Sequence, residues 1–349
     1  MTDNKEKKNK EERCNMNRYN NVTPYTYGEL EEIEKEIYHK MIISSKEPSD
    51  VNFKNILSRE TLIFNDKDYN LPQNIFIIRK YKGKTIVGRK ILSVLSIDHK
   101  INAINCSMVT ASMLLGILKT RSKKGRNITI EYYPFNNGEK ITTFNEIKKD
   151  LRYDVYFPYK YREFESGKEE VSPKEGWSFN PKKKEYLGYG EYHIREYTKE
   201  YFQNFKLDNK VIYDPACSTG EFLYTFQASF PSCKTVGHDL SNEMVEYAKQ
   251  FVDETLCCNA INSPLKEKSV DVLFLRFLNS EVVSTVMVHR IMKKMITKMK
   301  RKALIICFGH TPVLIKKEWF EENGLKVINS IGYDEKNDAI FQYYVLEVI

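Results

Sequence analysis

No run of apolar residues in this chain is long enough to cross a bilayer. The longest, Met108 to Leu118, has the length of a core helix and runs on into a basic stretch, so no membrane association is expected. The charged N-terminus has no apolar stretch behind it, which argues against a secretory signal and for a cytoplasmic location. The seven cysteines (14, 106, 217, 233, 257, 258 and 307) include no CxxC pair and no histidine at ligand spacing. Adjacent Cys257 and Cys258 suit neither an ordinary disulfide nor a zinc site, so reduced structural thiols are expected. His238 lies beside Asp239 without further ligands at strand or helix spacing, and no metal site is expected. No internal repeat is visible. The formal charge of +8 is spread over local clusters such as Lys182–Lys184 and Lys119–Arg126, not gathered in one basic run. That pattern argues against a nucleic-acid reader without excluding one.

What remains is a chain with 41% hydrophobic residues, enough to pack a core across one large domain or two smaller ones. Residues 1–24 carry hardly any large apolar side chain and read as a disordered charged arm. An α+β region is expected over 25–150. It opens with an amphipathic helix carrying Leu30, Ile33, Ile37 and Met41, and continues through strands within 74–97, turning at Lys82–Lys84. A buried helix is expected over Ile101–Lys119 and a strand over Asn127–Tyr133. Residues 151–190, rich in Tyr, Lys, Glu, Pro and Gly, read as a connecting segment. From 191 to 349 strands and helices alternate: a helix at 192–205, strands ending at Asp214 and Asp239, then strands over 270–275, 302–307, 326–328 and 341–348. Such alternation implies a doubly wound, mostly parallel Rossmann-like sheet whose ligands bind at the carboxyl ends of its strands.

Two segments carry the chemistry. Asp214-x-Ala216-x-Ser218-x-Gly220 leaves a strand and enters a helix, and small residues there let a ligand approach the backbone and the helix N-terminus. Ala and Ser would crowd a dinucleotide pyrophosphate and no phosphate-loop lysine follows, which points to a cofactor without phosphates. Asp239 ends the next strand, where a carboxylate can accept both ribose hydroxyls; capping the helix that Ser241 opens is the competing role.

Residues from about 190 to 349 resemble the class I S-adenosylmethionine-dependent methyltransferases. The likeness rests on Val211-Ile-Tyr-Asp-Pro-Ala-Cys-Ser-Thr-Gly-Glu-Phe-Leu223 and on Gly237-His-Asp-Leu-Ser-Asn-Glu-Met244. It implies that Asp214, Ala216 and Gly220, with Ser218 between them, border the methionine end of S-adenosylmethionine, and that Asp239 holds the ribose. Leu240 and Met244 are placed against the adenine or, equally, in helix packing. Asn259-Ala260 falls where an acidic residue often meets the adenine amino group. The Asp-Pro-Ala-Cys run also resembles adenine-specific DNA methyltransferases, but Leu275-Arg-Phe-Leu-Asn-Ser-Glu281 lacks their Asn/Asp-Pro-Pro-aromatic motif. The Pro-Cys motif of the cytosine enzymes is also missing.

Methyl transfer is an in-line displacement that asks the enzyme chiefly for alignment and exclusion of water. A base is needed only where the acceptor must lose a proton, and His310 after the fifth strand is the candidate. Arg276, which follows the fourth strand, is a second candidate catalytic residue and a candidate for the cofactor or for a substrate carboxylate, against an ion pair with Glu281. Tyr192, His193, Tyr197, Asn279 and Glu281 are candidates for the substrate side. The leading expectation is an enzyme of small-molecule biosynthesis, with the front region as acceptor pocket, lid or dimer contact. A homodimer stays open, as do an RNA or protein methyltransferase and a noncatalytic scaffold that kept the fold.

Overall fold

In the computed structural model the described residues are 50–67, 75–89, 107–125, 127–159, 176–178, 192–279, 282–309 and 312–349. The charged arm and the helix expected over 27–41 lie outside them. A short helix, α1 (Phe53–Leu57), leads into an antiparallel front sheet. Its strands are β1 (Leu62–Lys67), β2 (Ile75–Tyr81), β3 (Lys84–Arg89), β4 (Leu114–Lys124) and β5 (Asn127–Pro134). After helix α2 (Asn137–Ile147) comes β6 (Asp154–Tyr156), and the strand order is β1-β5-β4-β3-β2-β6. The β2–β3 hairpin turns at Lys82-Gly83, where both residues have positive φ (45° and 77°), the geometry that twists a tight hairpin correctly.

The helix expected over Ile101–Lys119 is not what forms. Among its described residues, Ala111–Met113 makes one 3-10 turn, and Leu114 begins β4 between β3 and β5. An apolar run of this length fits a buried strand as well as a helix, and here pairing on both sides decides. Gly116 is part of the reason: a Cβ there would lie 1.9 Å from the Tyr133 carbonyl oxygen. Helix α2 is fixed by a capping box, with Asn136 Oδ1 accepting from Glu139 N and Glu139 Oε2 accepting from Asn136 N, both at 2.8 Å.

The rear half follows the expected alternation. Its elements are α3 (Tyr192–Phe202), β7 (Val211–Asp214), α4 (Glu221–Ser229), β8 (Lys234–Asp239), α5 (Asn242–Ala248) and β9 (Glu254–Cys257). They continue with β10 (Val270–Leu275), α6 (Thr285–Lys298), β11 (Met299–Cys307), α7 (Lys317–Glu322), β12 (Leu325–Asp334) and β13 (Ala339–Val348). The strand order is β12-β13-β11-β10-β7-β8-β9, with β9 through β11 parallel and the last two strands antiparallel. This is a Rossmann-like, mostly parallel sheet. Central strands buried on both faces read as continuous apolar runs, as Val270–Leu275 does. One face packs Phe202, Phe222 and Phe226 from α3 and α4; the other packs Ile291, Met292, Met295 and Phe320 from α6 and α7. The chain winds outward from β7 through β8 to β9, then returns to place β10 on the other side of β7. That reversal is the switch point where the loops after β7 and β10 separate and leave room for a ligand.

The two sheets share a core. The long β12–β13 hairpin carries Ile331 and Ile340 into the front cluster of Phe76, Ile86, Leu114 and Phe144. Val109 forms an antiparallel bridge to Ile340, and Ser330 N donates to Leu151 O at 2.7 Å. A buried polar chain runs alongside. Arg79 Nε donates to Asp154 Oδ2 at 3.0 Å, Tyr344 OH donates to Asp154 Oδ1 at 2.9 Å, and Gln342 Nε2 donates to Val155 O at 2.7 Å. Removing the central carboxylate would leave the half-buried Arg79 guanidinium with Glu318 and take away the acceptor of the buried Tyr344 hydroxyl. Asp154→Ala is therefore expected to lower unfolding free energy by about 3 kcal/mol, read as a lower urea midpoint with an unchanged m-value. A midpoint equal to the parent would show that the junction does not depend on this carboxylate.

Candidate cofactor site

Strand β7 ends in Asp214, whose side chain has no solvent exposure. Its Oδ1 accepts from Ala216 N at 3.0 Å and its Oδ2 from Arg276 Nε at 2.8 Å. One carboxylate thereby shapes the first turn of the loop and ties it to the end of β10. The loop then crosses to β8: Cys217 N donates to His238 O at 2.8 Å, and Ser218 N donates to Asp239 Oδ2 at 2.8 Å. Ser218 holds a left-handed φ of 53°, an unusual conformation for a residue with a Cβ. Gly220, at φ 75°, enters α4 where a Cβ would sit 2.8 Å from Val252 Cγ2. Gly237 lets the loop lie on β8, since a Cβ there would come within 2.8 Å of Cys217 Sγ.

Asp239 receives Ser218 N on one oxygen and Ser241 N on the other, the latter at 2.9 Å. Its carboxyl is pushed above the ordinary range, first by burial and further by the nearby Asp214 charge, against the pull of the two N–H donors and Arg276. A carboxylate offers about four lone-pair positions, so two backbone donors leave acceptor capacity for a vicinal diol. Helix capping falls to Ser241 itself, whose Oγ accepts from Met244 N. The capping role weighed for Asp239 is thus filled by Ser241.

The remaining candidates separate. Leu240 stays 38% exposed beside Asp239, available to a ligand. Met244 is buried beneath the loop, with Ser218 Oγ donating to its Sδ at 3.7 Å, which is a packing position. Asn259 is exposed at the end of β9, but its Oδ1 accepts from Ile261 N at 3.0 Å and caps the 3-10 turn Ala260–Asn262. Ala260 is buried behind it. Arg276 has Asp214 as its carboxylate partner, and its guanidinium lies 4.7 Å from the centre of the Phe222 ring. Asn279 is buried and bridges Val313, joining the segments that follow β10 and β11. Tyr197, a substrate-side candidate, packs edge-on against Phe341 and Tyr343 at 5.4 and 4.9 Å. Burial pushes its hydroxyl pKa up to about 12, and it serves the core. His193 likewise lies edge-on to Phe341 at 5.1 Å. His310, Glu281 and the side chain of Tyr192 lie outside the described residues.

Sequence reasoning passed over Arg195 of α3, whose guanidinium is 5.9 Å from the centre of the same Phe222 ring and 3.7 Å from Glu221 Oε2. It also missed Gly176, which puts the connecting segment against this edge: a Cβ there would lie 3.0 Å from Leu240 Cβ and from Ser241 N.

Residues 212–302, spanning both motifs, match the family described as a methyltransferase domain. Isonocardicin synthase of Nocardia uniformis subsp. tsuyamanensis is 30% identical over 284 residues, 79% of this chain and 91% of that protein. The chain belongs to the class I S-adenosylmethionine-dependent methyltransferase family. That alignment is longer than the stretch from 192 to 349, so the likeness of this methyltransferase to its relative reaches into the front half. Among solved structures, magnesium protoporphyrin IX methyltransferase from Synechocystis PCC 6803 is 13% identical, covering 50% of this chain and 87% of its own at TM-score 0.39. A methyltransferase from Aquifex aeolicus is 19% identical, covering 49% and 100% at TM-score 0.37. S-adenosylmethionine is the cofactor of this enzyme. Among the described residues no helix is long and apolar enough to cross a membrane.

Beneath Asp239 lies His238, buried, with Nδ1 2.8 Å from the Tyr213 hydroxyl. Burial pushes its pKa down to about 4. The unfolded chain therefore takes up the proton first as pH falls through about 6.5, and the folded imidazole only near 4, so stability drops across that window. The expected loss from this one group between pH 7 and pH 5 is about 2 kcal/mol. His238→Gln should show a much shallower fall in urea midpoint over that range; an unchanged slope would count against a neutral buried imidazole.

Proposed function

We propose that this methyltransferase modifies a small biosynthetic metabolite, holding S-adenosylmethionine across the loop Asp214–Gly220 with Asp239 on the ribose. The observation that carries the reading is the joining of both motifs into one unit by Ser218 N on Asp239, at the switch point of the parallel sheet. A relative named isonocardicin synthase, alike over most of both chains, supports a biosynthetic role. In this reading Asp214, Ala216, Ser218 and Gly220 line the methionine end. Arg276 stands with them on the cofactor side, because its carboxylate partner is Asp214. Leu240 flanks the adenine.

The acceptor side is assigned to the segments after β10 and β11, where Asn279 bridges Val313. Val313 N in turn donates to Gln342 Oε1 at 2.9 Å, and Gln342 reaches the front sheet through Val155. The front sheet thereby braces the acceptor wall, and we assign it that supporting role. The chain's own residues orient the two reactants and exclude water, and methyl transfer to a neutral nucleophile needs little more.

The test is calorimetric titration with S-adenosylhomocysteine, paired with Asp239→Asn. Asn keeps an acceptor oxygen for only one of the two N–H groups, Ser218 N or Ser241 N, so a urea midpoint close to the parent's is the control that the loop holds, and affinity is then expected to drop roughly tenfold or more, about 1.4 kcal/mol. Turnover of small acceptors with S-adenosylmethionine should release S-adenosylhomocysteine. Equal binding by both proteins would remove Asp239 from the site. Release of methylthioadenosine instead would mean that a sulfonium carbon other than the methyl is attacked.

A further inference from the structure

Gly176 and Trp177 belong neither to the rear sheet nor to the span 212–302 that matches the methyltransferase domain, yet they meet the sheet beside Asp239. Gly176 holds a left-handed φ of 80°. A Cβ on it would lie 3.0 Å from Leu240 Cβ and 3.0 Å from Ser241 N. The position thus calls for glycine twice over, through its backbone conformation and through the closeness of the turn after β8. Consecutive Cα atoms are about 3.8 Å apart, so this contact delivers Trp177 to the neighbourhood of Leu240.

Both of these large apolar residues are left in the open. Trp177 is 40% exposed and Leu240 is 38% exposed, whereas the core around them is closed. Exposed apolar area gathered at one place, with a tryptophan in it, serves binding better than it serves packing. The place is also specific. Asp239 lies next to Leu240, with its oxygens taking Ser218 N and Ser241 N and keeping capacity for hydroxyls. Apolar walls beside a single acceptor suit a flat ring joined to a polyhydroxylated group.

We infer that Trp177 lays its indole on the cofactor's adenine, on the face opposite Leu240. This assignment rests on the cofactor placement proposed above, and it adds that the rear sheet does not complete the base site alone. The ribose on Asp239 fixes where the base begins, Leu240 covers one face, and a residue from outside the sheet covers the other. An indole has few torsions to immobilise and a large flat area from which to exclude water, so stacking costs little entropy for the area it buries. Trp177 is there a binding residue, and Gly176 positions it.

The tryptophan count makes the contact directly observable. The chain has two, and the second, Trp319, lies in α7 against His289 at 5.2 Å and Phe320 at 6.1 Å. Saturating S-adenosylhomocysteine, or 5′-methylthioadenosine, which has the same adenosine without the amino-acid arm, is expected to change the parent's emission and shield it from acrylamide. Trp177→Phe, which retains Trp319 alone, is expected to show neither effect. Calorimetry is expected to find both ligands weakened alike, about 5- to 50-fold, in Trp177→Ala, with Trp177→Phe within about threefold of the parent. Unchanged emission in a parent that calorimetry shows to be saturated would overturn the inference, as would parental affinities in Trp177→Ala. Weakening confined to S-adenosylhomocysteine would overturn it too, by placing Trp177 on the amino-acid arm. Failure of the parent to bind either ligand would overturn the cofactor placement itself, a result distinct from the other three. The emission comparison needs only the Phe variant, so it decides the matter even if Trp177→Ala is unstable.

Discussion

Everything at the switch point depends on a short loop being held in a conformation it would not choose. Between Asp214 and Gly220 the chain must leave β7, lie against β8 and turn into α4, with Ser218 and Gly220 both at left-handed φ. A non-glycine residue at such a φ costs roughly 1–2 kcal/mol, and hydrogen bonds from elsewhere hold it there. Asp214 draws in Ala216, the His238 carbonyl draws in Cys217, and Asp239 draws in Ser218. In the proposed placement, Asp239, one of the carboxylates that shape the loop, is also the one that meets the cofactor's ribose. In that placement loop geometry and ligand contact share one carboxylate, which preorganises the site.

The antiparallel end of the rear sheet serves a second purpose. The β12–β13 hairpin is long enough to finish the rear sheet and still seal the core of the front one through Ile331 and Ile340. Gln342 and Tyr344 on the same strand carry buried hydrogen bonds to Val155 and Asp154. Gln342 also accepts from Val313 N in the segment that follows β11. A change of packing in the front sheet therefore has a direct route through β13 to the segment that follows β11.

The rear half was largely legible because each signal there is local. Apolar runs end in Asp214 and Asp239, Ser241 caps the next helix, and β7, β8, β10 and β11 form close to where periodicity puts them. The front half misled where the deciding force was nonlocal. Leu114–Leu118 has no helix–strand preference of its own, and pairing with β3 and β5 makes it a strand. Helix α2 did announce itself in the Asn136-x-x-Glu139 capping box, a readable signal that was passed over. Tyr197 and Arg195 share one helix and show the limit of type-based guessing. The tyrosine faces Phe341 and Tyr343, while the arginine reaches Phe222, and only tertiary packing sorts one into the core and the other towards the loop. Arg276 was recognised as important, but its partner Asp214 lies 62 residues away and could not be read from neighbours in sequence.

The central claim is that the two motif loops bind as one unit through the Ser218–Asp239 hydrogen bond. Hydrogen–deuterium exchange with and without saturating S-adenosylhomocysteine tests it most directly. The account predicts that amides of 214–221 and 238–244 gain protection together, at the same ligand concentration, while strand β4 of the front sheet keeps its free-state exchange. Protection of one loop without the other, or protection centred on the front sheet, would contradict it.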